Sequence, residues 1–438
     1  MRGATAFLTL SVVLSAASTV GLSGGGSAGV VFEEYFAEGM LRLDVIHSGT
    51  ASEEEISYRR AVTEPVWGGP RLTLVPPDNA GEYVLEVRDE ESGALIYRKG
   101  FNTLFGEWRT TTTIQTTRKA FEETYEFPLP KRAVKIGVSR RAEAGAERLV
   151  FEMSIDPGAV SRGDAPSGSK AGVHELIING KPENRVDLVI LGDGYTEAEA
   201  EKFIGDCRHV IGALFAVEPF ASMRDRFNVR AVHVPSAESG VDEPRNEIFR
   251  DTAFGLSFNT FGSERYCLTE DVWAIHDSAS SIPHDAILLM ANSSRYGGGA
   301  IFNLYTAFVS DNEYDDYLCV HEFGHGFAGL ADEYFSSQVS YNEFYPRGVE
   351  PWEPNITALL DASRLKWGDL VEPGTPVPTP AGDARYHERL GAFEGAGYAA
   401  KGLYRPAVDC KMFSKANREF CGVCRRAVAD AIRFYAPE

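Results

Sequence analysis

Residues 321–334 read HEFGHGFAGLADEY, and the spacing of the two histidines decides how the second half of the chain is organised. His321 and His325 lie four residues apart, which on a helix stacks both imidazoles on one face, one turn above the other. Two metal ligands are thereby aimed at one point. Glu322, beside the first of them, can reach a water at such a site without itself being a ligand, which suits it to accept a proton. The helix is expected to start near Asp315, to bury Leu318 and Phe323, and to end at Gly329 in a left-handed turn that folds the chain back. A metal held for chemistry takes three protein ligands and an open fourth position. The third ligand therefore has to follow the turn. Asp332, its neighbour Glu333 and the later Glu343 are the candidates, although Pro346 in YNEFYP (341–346) argues against a long helix around Glu343.

Upstream, VDLVILGDGYT (186–196) reads as a buried strand ending in a glycine turn. Thr196 and Glu199 form a capping box that opens a helix through 197–216. The GDG at 192–194 lacks the remaining glycines of a phosphate-binding fingerprint and is read as a turn. Further buried strands are expected at FNVRAVHVP (227–235), HDAILLMA (284–291) and, after a turn at Gly297-Gly298-Gly299, IFNLYTAFVS (301–310). The resulting organisation is α/β, or α+β, over 173–438.

Residues 30–156 show a different period. RLTLVPP (71–77), EYVLEVRD (82–89), ALIYRKGF (94–101), AVKIGVSRR (133–141) and RLVFEMSID (148–156) alternate apolar and polar residues, the mark of strands with one buried face. With no amphipathic helix between them, they predict an antiparallel β-sandwich. The Gly-, Ser-, Pro- and Ala-rich stretch at 157–172 reads as a linker. A chain of 438 residues exceeds what one core normally serves, so a multidomain architecture is the natural reading.

The first residues, MRGATAFLTLSVVLSAASTVG, carry one early positive charge, an apolar run from Ala6 to Ala16 and small residues at Ala17 and Ser18. That is the layout of a secretory signal over 1–22, and the run falls short of the roughly 20 residues a spanning helix needs. The chain is expected to be exported, extracellular or periplasmic, with no integral membrane segment once the signal is removed. A net charge of −20 argues against nucleic acid as a partner. Six cysteines, an even number in an exported chain, suggest disulfides. Cys410, Cys421 and Cys424 would also suit a small zinc knot, but a single CxxC without a matching second pair favours the disulfide reading. Asn292 and Asn355 each open an N-glycosylation sequon.

The stretch HEFGHGFAGLADEY, with RYGGG at 295–299 and CKMF...FCGVC at 410–424, resembles the M64 family of zinc metallopeptidases, which includes IgA-cleaving endopeptidases. The likeness covers most of 172–434 and implies a metzincin-type zincin domain, often preceded by a β-domain. The general metzincin pattern HExxHxxGxxH would need glycine at 328 and histidine at 331, and both are alanine here. Gly329 and Asp332 instead match the shifted HExxHxxxGxxD form. The resemblance thus makes Asp332 the third zinc ligand beside His321 and His325, in keeping with zinc's acceptance of Asp oxygen. It also makes Met412 the methionine beneath the metal. Tyr334 and Tyr404 are candidate donors to a developing oxyanion.

The function implied is zinc-dependent hydrolysis of peptide bonds in a protein or peptide substrate, with Glu322 as general base. Two other readings stand beside it: an exported binding protein with a structural or degenerate zinc site, and a zinc hydrolase of non-peptide amides. The intact Glu322 speaks against the first, since a purely structural site needs no base.

Overall fold

The computed structural model describes residues 29–76, 80–141, 146–162, 172–335 and 344–437. The signal expected at 1–22, residues 163–171 of the expected linker, and Glu343 lie outside the described residues.

The first half folds as two packed antiparallel sheets. One has the strand order Glu54–Glu64, Phe36–Gly49, Lys119–Pro130, and the other Leu95–Phe101, Tyr83–Asp89, Val134–Arg141, Glu147–Ile155. Alternation explains the packing. Val134, Ile136 and Val138 are buried while Lys135 between them is exposed, and they meet Leu41, Leu43, Val45 and Phe127 of the facing sheet in one core. Four of the five expected strands are present within a residue at each end. RLTLVPP is the exception: residues 71–76 are bends and coil without a strand, and Leu72 is 75% exposed. Pro70, Pro76 and Pro77 offer no amide hydrogen for a ladder. The alternation also passed over three strands, Phe36–Gly49, Glu54–Glu64 and Lys119–Pro130, the first of which buries Arg42 and Asp44 where the pattern reads as polar.

The second half is built on a mixed six-stranded sheet. Its order is Gly298–Ile301, Tyr305–Val309, Ala286–Ala291, Val186–Asp193, Phe227–His233, Gly172–Ile177. The middle four strands are parallel and the two at the edges antiparallel. Val186–Asp193 is buried at every residue, as befits a central parallel strand. The Thr196–Glu199 capping box is formed, and the helix Ala200–Leu214 follows it. The run after the glycines is not one strand but a hairpin: Gly298 and Gly299 belong to its first arm, and Asn303, at φ +58°, turns the chain. Gly298 is required by closeness, since a Cβ there would lie 2.7 Å from the Ala307 carbonyl oxygen and 3.2 Å from Cγ of Glu322.

The two halves share a core. Phe105 and Trp108 on the short helix Leu104–Arg109, together with Phe121, are buried in the same cluster as Leu188, Leu268 and Ile275 of the second half. Around this junction Glu126 meets two imidazoles of the second domain, accepting from His276 Nδ1 at 2.6 Å and pairing with His284 Nε2 at 3.4 Å. Among the described residues no helix is long and apolar enough to cross a membrane.

A shared core makes unfolding cooperative. Phe105→Ala is predicted to cost about 3–5 kcal/mol and to shift one transition common to both halves in equilibrium denaturation. Two separate transitions, with only the first displaced, would contradict this. The junction also sets a pH dependence. Burial opposes a charge on His284, but the Glu126 carboxylate outweighs it and lifts the imidazole to about 9. His47, between Glu123 and Glu54, is lifted likewise to about 9 against the effect of burial. Because the unfolded imidazoles titrate near 6.5, the stability these protons contribute is complete below about pH 6.5 and lost as pH rises through 9. Chemical denaturation across that window should show a decline of up to roughly 1.4 kcal/mol per pH unit per imidazole, reduced in Glu126→Gln.

Candidate metal centre

The histidine helix spans Asp315–Ala328, with Asp315 and Asp316 in its first turn, where carboxylates favour the positive end of the helix dipole. Leu318 and Phe323 are buried beneath it. Gly329 ends it at φ +62°, with its N–H bonded to the His325 carbonyl at 3.1 Å and Leu330 N–H to that of Gly324 at 3.1 Å. Glycine is needed twice over, because a Cβ would be strained at this φ and would lie 2.6 Å from the Trp352 ring. The chain then doubles back, clamped by the fully buried Asn355. Its Oδ1 accepts from Ala331 N–H at 2.7 Å, and its Nδ2 donates to the Ala331 carbonyl at 2.9 Å and to Glu333 Oε1 at 3.0 Å.

This return delivers Asp332 to the two imidazoles. His321 Nε2 lies 3.1 Å from Asp332 Oδ1, His325 Nε2 lies 3.3 Å from the same oxygen, and the two nitrogens are 3.2 Å apart. The second nitrogen of each ring is committed elsewhere. His321 Nδ1 donates to the Lys411 carbonyl at 3.1 Å, beside the Tyr317 hydroxyl, and His325 Nδ1 donates to the Leu330 carbonyl at 2.5 Å. Neutral rings so fixed turn lone pairs, not protons, toward Oδ1, a buried oxygen that accepts no hydrogen bond. Three acceptors then converge on one point. A cation reconciles them, and the spacing fits zinc: ligand bonds of about 2.0 Å in a tetrahedron put donor atoms about 3.3 Å apart.

Electrostatics agree with that fit. Burial opposes the charge on Asp332, yet the two imidazoles hold its carboxyl well below the usual carboxylate range. Burial opposes a charge on His325, but with no cation present Asp332 overrides it and lifts the imidazole to about 9, so an ion binding here displaces that proton. The other Asp332 oxygen accepts from the Tyr398 hydroxyl at 2.5 Å. Glu322 is half-buried in the cleft wall, and burial, more than the nearby Asp332, raises its carboxyl above the ordinary value against the pull of both imidazoles and Arg265. A carboxyl held above its ordinary value in this way suits proton transfer near neutral pH.

His321, Glu322, His325 and Asp332 all line one cleft of about 550 Å³. Tyr296, Tyr317, Tyr334, Tyr398 and Trp352 supply its aromatic walls, and Asn102 and Glu107 reach it from the first domain. Met412, fully buried, sets its sulfur against Gly324, the residue between the two turns of histidine.

Other expected residues fall elsewhere. Glu333 turns away from the imidazoles toward Asn355 and the sulfur of Cys424, so backbone carbonyls, and not Glu333, orient the histidines. Tyr404 is not among the cleft residues; it pairs with Thr357 in a backbone ladder. None of the six cysteines is in a disulfide, which corrects the expected pairing. Asn355 and Asn292 are buried and spent on backbone hydrogen bonds, so neither sequon presents an acceptor amide. Sequence reasoning missed Tyr398, Tyr317 and the Lys411 carbonyl. The CKMF segment was the one available signal for the last of these.

The model of the IgA Peptidase M64 family matches residues 175–389 and 381–432. That of the peptidase M64 N-terminus matches residues 31–152. No curated protein matches the chain.

Removing the clamp should loosen the returning segment. Asn355→Ala strands buried polar groups of Ala331 and Glu333, and should cost about 1–3 kcal/mol in thermal or chemical unfolding. Because it also frees the Asp332 arm, affinity for a divalent metal ion in chelator competition is expected to fall about 10–100-fold; unchanged affinity would separate the clamp from the site.

Proposed function

Since the chain belongs to the IgA Peptidase M64 family, we propose that it is an exported zinc-dependent endopeptidase, with His321, His325 and Asp332 as the zinc ligands and Glu322 as the general base. The observation that carries the reading is the triangle of His321 Nε2, His325 Nε2 and Asp332 Oδ1, closed to 3.1–3.3 Å on every side inside an open cleft. When bound there, zinc supplies Lewis acidity toward the scissile carbonyl and eases the ionisation of water.

The chain's own residues supply the rest. Glu322 accepts the proton of the attacking water and returns it to the departing amine, so that the base of the first step is the acid of the second. The Lys411 and Leu330 carbonyls hold the imidazoles in the tautomer that presents Nε2. Tyr398 holds Asp332 from its other oxygen, which keeps Oδ1 facing the histidines. Tyr334, on the cleft wall next to Asp332, is the candidate donor to the oxyanion. The aromatic lining suits an extended peptide whose side chains stack against rings. Export is supported by the signal-like pattern of residues 1–22.

The test is a proteome-derived peptide library incubated with the zinc-loaded chain and with Glu322→Gln, new termini being read by mass spectrometry. Cleavage should fall about 10²–10⁴-fold in the variant with zinc content unchanged. Equal cleavage by both would remove Glu322 from the reaction, and no cleavage by either at full zinc occupancy would favour the binding-protein reading.

A further inference from the structure

Behind the cleft lies a second group of metal-binding side chains. Cys410, Cys421, Cys424 and Glu333 are brought together from three segments, and one ligand atom from each lies within 4.8 Å of all the others. Cys421 caps the C-terminal helix Gly422–Tyr435, and Cys424 sits in its first turn. This CxxC at a helix start is joined by Cys410, eleven residues earlier, whose sulfur accepts the Cys421 N–H at 3.2 Å. Donation from a backbone amide and the positive end of a helix both favour thiolate over thiol.

The spacing of the sulfurs excludes a disulfide and leaves room for an ion. Cys410 and Cys424 sulfurs are 3.8 Å apart. A disulfide requires about 2.05 Å, whereas the edge of a zinc tetrahedron with sulfur bonds of about 2.3 Å is about 3.8 Å. A disulfide would also use two of the three sulfurs and leave a thiol facing a carboxylate. That carboxylate is the independent sign. Glu333 is fully buried, one oxygen lies 3.0 Å from the Cys424 sulfur, and the other has no hydrogen-bond partner among the described residues. A buried, half-satisfied carboxyl beside three sulfurs is costly unless a cation completes it.

We propose that Cys410, Cys421, Cys424 and Glu333 hold a second, structural divalent metal ion, of the thiolate-preferring class to which zinc belongs. All four positions are protein ligands, so this site is closed and has no place for a water or a substrate. Its role follows from its position. Glu333 is the residue after Asp332, its N–H bonds to the Met412 carbonyl at 2.9 Å, and Lys411 between Met412 and Cys410 provides the carbonyl that orients His321. The ion would tie the Asp332 arm, the 410–412 segment and the C-terminal helix to one point.

Metal content and cobalt spectra of the full chain test this without reference to peptidase activity. After saturation with zinc and removal of excess, the wild type should hold two equivalents, Asp332→Ala one and Cys421→Ser one. The cobalt-substituted wild type should show thiolate-to-cobalt charge-transfer bands, which a centre of two histidines and an aspartate cannot produce. Those bands should persist in Asp332→Ala and vanish in Cys421→Ser. A single equivalent in wild type without thiolate bands, or a disulfide among the three cysteines in non-reducing peptide mapping, would overturn the proposal. If Cys421→Ser fails to fold, the wild-type spectrum decides by itself.

Discussion

The left-handed turn at Gly329 is the constraint on which the rest of the second domain depends. A helix can aim His321 and His325 at one point, but it cannot supply a third ligand from its own axis. Reversal at φ +62°, with Trp352 closing the space a side chain would need, sends residues 330–333 back along the helix. Leu330 spends its carbonyl on His325, Ala331 is pinned at both polar groups by Asn355, and Asp332 arrives opposite the imidazoles. Because consecutive residues of this extended segment point apart, Glu333 is sent to the other side, toward the sulfurs. One turn thus sends carboxylates to two places at once.

The same segment is held from outside by the hairpin Phe393–Ala396 and Ala399–Arg405. Gly397 N–H bonds to the Asp332 carbonyl, Tyr398 N–H to that of Tyr334, and the Tyr398 hydroxyl to the Asp332 carboxylate. The first domain takes part as well. Glu107, from the helix that carries Phe105 and Trp108 into the common core, accepts the Tyr266 hydroxyl at 2.7 Å and lines the cleft with Asn102. A β-sandwich that shares its core with the second domain and furnishes part of the cleft is a fixed wall of the site.

What could be read from the residues was whatever short-range periodicity encodes. The helix from Asp315, its end at Gly329, the strand Val186–Asp193 and four sandwich strands follow from spacing, capping and alternation alone. Groups supplied by distant backbone escaped. The Lys411 carbonyl that orients His321 belongs to a segment ninety residues away and has no side-chain signature. Tyr398 is one of 18 tyrosines, set apart only by its fold-dependent approach to Asp332. Strands that bury charge, such as the one carrying Arg42 and Asp44, defeat a hydrophobic pattern because the partners that offset the buried Arg42, Glu64 and Asp277, come from other elements. The cysteine spacing was visible, but the approach of the Glu333 carboxylate to the sulfurs was not, since only the turn after Gly329 brings it there.

The central claim is that His321, His325 and Asp332 form one zinc centre. The most direct measurement is a crystal of the zinc-loaded chain with anomalous difference density at the zinc edge. The account predicts a peak within about 2.0–2.2 Å of His321 Nε2, His325 Nε2 and Asp332 Oδ1. Zinc bound with Asp332 outside its coordination, or no peak between the two imidazoles, would contradict it.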